Sequence, residues 1–154
     1  MGNTPDFQKL RRYMAIFRVA QVFLFVILIY MAVSFQAQFV NSGKGPQFLK
    51  SVIAALVIQL ILFYPINKFA ANDAEREMAA TDPGTTQEEL SKLRSKRIVS
   101  DFTKAAVFIF FITFISMAPA ILVVNSTVFF VFILSVLTYF QCYNFVIRRT
   151  MKNR

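Results

Sequence analysis

The sequence predicts an all-α integral membrane four-helix bundle. It consists of two hairpins that begin and end inside, with a cytoplasmic helical hairpin between spans two and three. Three observations predict this. The chain is 56% hydrophobic, above the roughly 45–50% usual for soluble domains, and its apolar residues gather in four long stretches. Its basic residues fall almost wholly on one side of those stretches. Helix caps and a Pro-Gly turn punctuate the polar remainder. Residues 1–154 are read as a single membrane domain.

The stretches run about 17–39, 48–66, 105–124 and 128–147. A helix needs roughly 20 residues to cross a hydrocarbon core of about 30 Å. Backbone groups in lipid must be bonded within their own segment, so helices are the expected spans. Before the first stretch, Thr4 suits an N-cap, Pro5 the first helical position, and Asp6 the positive end of the helix dipole. That stretch is longer than the apolar region of a signal peptide and lacks a clear small-x-small cleavage site, so it is read as a retained span. Residues 105–147 are too long for one crossing and suit two. Asn125-Ser126-Thr127 is therefore expected to be a tight interfacial turn.

Fifteen of the 17 Lys and Arg residues precede span one, lie between spans two and three, or follow span four; only Lys44 and Lys50 fall on the other side. By the positive-inside rule, both termini and the central loop are expected in the cytoplasm. The formal charge of +9 is thereby explained by topology and by a bilayer with anionic headgroups. Nucleic acid is not an expected partner. Met1 and the lack of a targeting peptide point to a bacterial inner membrane, with an organellar membrane as the alternative.

The central segment, about 68–104, carries seven basic and seven acidic residues. It divides at Asp82-Pro83-Gly84, which is turn chemistry. Before the turn, Phe69, Ala71, Ala74 and Met78 recur at helical spacing. After it, Thr86-Gln87-Glu88-Glu89 reads as a capping box, and Leu90, Leu93, Arg97 and Ile98 continue a stripe. Each arm is expected to extend a span into the cytoplasm. Arg76, Glu88, Lys92 and Arg94 form a candidate docking surface on this hairpin. A weak repeat is also visible. "VNS" occurs at Val40-Asn41-Ser42 and at Val124-Asn125-Ser126, and "KLR" at Lys9 and Lys92, suggesting two parallel halves related by an axis along the membrane normal.

No Asp, Glu, Lys or Arg lies at the centre of a span, which argues against a proton-coupled transporter. The neutral polar residues there are few. Gln59 sits at the middle of span two. Ser135, Thr138, Tyr139, Cys142 and Tyr143 share a face of span four. Small and hydroxyl residues let helices approach closely and bond across the gap. Gln59, Ser135, Thr138 and Cys142 are therefore candidates for a bundle seam or, alternatively, a pore lining.

The chain has no His and one Cys. A Ser-His-Asp triad is excluded, and haem, zinc and Cys-His chemistry have no obvious ligands. No catalytic residue, cofactor or metal site is assigned, and the chain is not expected to be an enzyme. In size, charge and number of spans it is similar to the microsomal glutathione transferase family. The Arg- and His-containing motif of that family is absent, and Ala74-Glu75-Arg76-Glu77 is the nearest stretch. The order of spans two to four resembles the core of the Oxa1 and YidC superfamily: a crossing inward, a cytoplasmic hairpin, then two crossings. That resemblance implies an insertase-type protein with a basic residue in a groove inside the bundle; here that residue is missing, since Lys104 lies at the edge. The expectation from the residues themselves is a non-catalytic subunit of a larger membrane assembly. Its partners would be other membrane protein subunits, met through a Phe-rich surface and the hairpin. A homo-oligomeric channel is the alternative.

Overall fold

A computed structural model describes residues 8–82, 84–117 and 121–153. The described chain is all-helical: α1 Gln8–Asn41, α2 Gly45–Ala79, α3 Gln87–Met117 and α4 Leu122–Asn153. All four helices are long and apolar enough to cross a membrane. They have 34, 35, 31 and 32 residues. At about 1.5 Å rise per residue each outruns an apolar core of about 30 Å by several turns. The surplus lies at one end, beyond Arg18, Lys68, Lys104 and Arg148, where the charges collect.

The α1–α2 connection is short because Gly43 adopts φ 69°, a conformation that costs glycine nothing. The N–H groups of Ser42, Gly43 and Lys44 then donate to the last carbonyls of α1 at 3.0, 2.9 and 2.8 Å. Pro46 follows at the start of α2, where its missing N–H would have no helical partner anyway. Pro65 sits inside α2 without ending it.

Thr86 and Glu89 cap α3 reciprocally, as the sequence predicts. The Thr86 N–H donates to Glu89 Oε2 at 2.9 Å, and the Glu89 N–H to Thr86 Oγ1 at 3.3 Å. The Thr86 backbone N–H, and then its hydroxyl, hold the Glu89 carboxyl below its ordinary range. The expected cap at Thr4-Pro5-Asp6 lies outside the described residues, as does Pro83 of the central turn.

The turn expected at Asn125-Ser126-Thr127 is displaced. These residues lie in the opening turns of α4, which begins at Leu122. Two effects make the polar triplet compatible with helix. The Asn125 N–H donates to Ile121 O at 3.1 Å. The hydroxyls of Ser126 and Thr127 fold back on Val123 O at 3.1 and 2.8 Å. The two "VNS" segments are consequently not equivalent: one closes α1, and the other lies within α4.

α2 and α4 form the central pair. Thr127 Oγ1 contacts Ser51 O at 3.3 Å, and Ser135 Oγ donates to Gln59 Oε1 at 3.0 Å, both across 76 residues of sequence. Contacts that advance together along both helices mean that the two run parallel. α1 packs against both, and α3 is the most loosely held helix. Two apolar clusters bracket the bundle. Phe35, Phe39, Ala55, Phe130 and Val131 fill the end near the α1–α2 turn. Leu10, Met14, Ala70, Ala74, Met78, Tyr143 and Ile147 fill the end near the charges.

Candidate functional site

The buried face of α2 beyond its apolar stretch is Ala70, Asp73, Ala74 and Met78. The expected stripe of Phe69, Ala71, Ala74 and Met78 is thus rotated, and the rotation turns a carboxylate inward. Asp73 is 6% exposed. An ionised carboxylate in such a place is costly unless it is paired and fully bonded. Ser100 Oγ donates to its Oδ1 at 2.6 Å, and the Tyr139 hydroxyl donates to its Oδ2 at 2.8 Å. Lys104 Nζ lies 2.8 Å from Oδ2, and Arg76 3.5 Å from Oδ1. One carboxylate therefore joins α2 to α3 and α4.

A second layer surrounds it. Lys104 also bridges to Asp101 at 3.2 Å and lies over the rings of Tyr139 and Phe69, at 5.4 and 6.0 Å from their centroids. Arg97 reaches Glu77 at 3.1 Å and Asp101 at 3.7 Å, and engages Tyr13 of α1. These groups surround a cavity of about 170 Å³ lined by all four helices. Ser100 is the one described residue of α3 that is buried. Further down, α3 rests on α4 through Phe108 and Phe111, whose rings lie 5.1 and 4.9 Å from that of Phe132.

The seam candidates separate into two groups. Gln59 Nε2 donates to Thr138 Oγ1 at 2.8 Å, and Ser135 donates to Gln59 Oε1. The amide is therefore engaged at both ends in the α2–α4 seam, where a half-buried Gln needs partners. Cys142 does not join this cluster; its free thiol packs half-buried against the apolar cluster at the charged end. The docking candidates also separate. Arg76 and Arg94 line the cavity. Glu88 and Lys92 are exposed and pair with each other at 2.8 Å. Asp73, Ser100 and Tyr139 were not singled out as site residues by sequence. The available signal was an Asp in register with two alanines, Ala70 and Ala74, since small residues mark close helix contact.

Replacing Gln59 by leucine is expected to cost at most about 1 kcal/mol. Thr138 already donates to Leu134 O at 2.8 Å, so its hydroxyl keeps a bond. Reversible unfolding in detergent checks this, and a loss of several kcal/mol would show that Gln59 does more than tie a seam.

No known protein family, curated protein or solved structure matches this chain.

Proposed function

We propose that the chain is a non-catalytic integral membrane subunit of a larger assembly and that it docks through α3. Both termini and the α2–α3 turn are on the cytoplasmic side, by the distribution of Lys and Arg, and α2 and α3 project there as a helical hairpin. The observation that carries the docking reading is the exposure of Ile98, Val99 and Phe102, at 69%, 64% and 75%. They precede Lys104 on α3, beside Arg97 and Asp101, where the helix has left the apolar zone. Exposed apolar groups within a span need only lipid. Exposed apolar groups in the charged zone favour a protein partner.

The polar groups support a structural role over a catalytic one. The carboxylate of Asp73 is saturated by Ser100, Tyr139 and Lys104. Both ends of the Gln59 amide are used within the chain, which leaves it little to offer a pore. Lys104 is likewise compensated by Asp73 and Asp101, unlike the unpaired groove cation that an insertase-type mechanism would use.

The test is purification in gentle detergent with mass determination of the intact complex, for the wild type and for Phe102→Ser. Stoichiometric copurification of different membrane proteins, lost in the variant, is the expected result. A clean homo-oligomer or monomer in both cases would overturn the reading and direct attention to conductance measurements.

A further inference from the structure

We propose that the cavity at the charged end binds the phosphate of an anionic lipid headgroup. This inference is independent of the subunit reading. Four cations line the cavity (Arg76, Arg94, Arg97 and Lys104) against three carboxylates, Asp73, Glu77 and Asp101. Each carboxylate is matched: Asp73 by Lys104 at 2.8 Å and Arg76 at 3.5 Å, Glu77 by Arg97 at 3.1 Å, and Asp101 by Lys104 at 3.2 Å. Among the described residues Arg94 makes no ion pair. The surplus is one positive charge, which one phosphodiester neutralises.

The donors suit that ligand. Arginine presents a planar fork that matches phosphate oxygens bidentately. Arg94 stands one helical turn from Arg97 on α3, so both lie on the cavity side of that helix. The level is right as well. Lys104 is the last charge of α3 before its apolar run, and Arg18 and Lys68 mark the same boundary on α1 and α2. In a bilayer the headgroup zone extends roughly 5–8 Å beyond this boundary. Arg97 and Arg94 stand about 10 and 15 Å beyond Lys104 along α3 and reach back into that zone with their long side chains. Access is available, because among the described residues α1 and α3 both line the cavity without close backbone contact and meet there through the Arg97 and Tyr13 side chains. A soluble phosphate has the same recognition chemistry; position in the bilayer favours the lipid.

The experiment uses the full chain in detergent. Native mass spectrometry follows titration with phosphatidylglycerol or with phosphatidylcholine of the same acyl chains. One phosphatidylglycerol is expected to stay bound at concentrations where phosphatidylcholine does not. Arg94→Gln is expected to weaken its retention about fivefold, while Lys44→Gln, at the opposite end, leaves it unchanged. Arg94 is exposed and makes no ion pair among the described residues, so its loss is not expected to impair folding. Equal retention of the two lipids, or no change in Arg94→Gln, would overturn the proposal. Displacement of phosphatidylglycerol by an equal concentration of inorganic phosphate would assign the cavity to a soluble phosphate and overturn the lipid assignment.

Discussion

Replacing Asp73 by alanine is expected to destabilise the protein by about 3 kcal/mol, one of the two largest effects of any substitution considered. The argument runs from burial to partners. The Asp73 side chain is 8% exposed, whereas Lys104 is 34% exposed. Removing the carboxylate takes a partner from the Tyr139 and Ser100 hydroxyls and leaves two cations, Lys104 and Arg76, without their closest anion among the described residues. Lys104 can turn outward to solvent or to Asp101, 3.2 Å away, which keeps the cost at the lower end of the range for a broken buried pair. Ser100 can fall back on a carbonyl of its own helix. Tyr139 has no such recourse, because its hydroxyl reaches across to α2. Asp73→Asn separates the contributions. It keeps an oxygen for one hydroxyl and loses the charge, and is expected to cost about half as much. Unfolding in detergent measures both. Equal effects of the two variants would show that the charge alone matters, and no effect of either would show that the cluster does not hold α3.

The location of this cluster explains why α3 depends on it. α1 is fixed at both ends by buried side chains, Leu10 and Met14 at one and Phe35 and Phe39 at the other. α3 has no comparable apolar anchor among its described residues. Its attachment is polar at one end and aromatic, through Phe132, further down. Loss of Asp73 is therefore expected to loosen α3 before the α2–α4 pair. Hydrogen exchange would show this as amides of residues 96–104 losing protection ahead of those of residues 70–78.

Most of the architecture was legible in the sequence, and the errors share a cause. Four apolar stretches announce four helices because length and hydropathy decide spans with little help from tertiary contacts. The Thr86–Glu89 cap was legible because its partners lie three residues apart. Gln59 could be singled out as needing a partner, although its mates Ser135 and Thr138 lie on another helix. The turn before α4 was misplaced because three polar residues in a row read as turn formers. Asn125, Ser126 and Thr127 are turn formers in isolation, but in α4 the two hydroxyls bond back to Val123 O. Asp73 was hidden differently. It sits in a charge-balanced segment that reads as solvated on every face, and its partners Ser100 and Tyr139 lie 27 and 66 residues away. Helical spacing identifies a stripe of residues but leaves its rotation open by one position. Here one position separates Ala71 from Ala70, and a solvated face from the face that carries the carboxylate.

Ala74→Leu is expected to be as disruptive, by about 2–3 kcal/mol, through overpacking instead of lost bonds. Ala74 is fully buried, as is Ala70 one turn earlier. Both belong to the cluster in which α2 meets Leu10 and Met14 of α1 and Tyr143 and Ile147 of α4. Small residues four apart let helix backbones approach closely, and a branched side chain at one of them pushes the helices apart. Asp73 is the adjacent residue, so separation would also lengthen its bonds to Tyr139 and Ser100, which now stand at 2.8 and 2.6 Å. The damage should therefore be non-additive with Asp73→Ala. In the double variant the second substitution removes interactions that the first has already broken, and the combined cost is expected to fall short of the sum by about 1 kcal/mol or more. Asn72→Leu provides the control. It adds a similar side chain two residues away at an exposed position, where effects stay within about 0.5 kcal/mol. Equal destabilisation by Asn72→Leu and Ala74→Leu would contradict the helix rotation described here. Strict additivity of Ala74→Leu with Asp73→Ala would separate the close contact from the polar cluster that it is argued to hold in place.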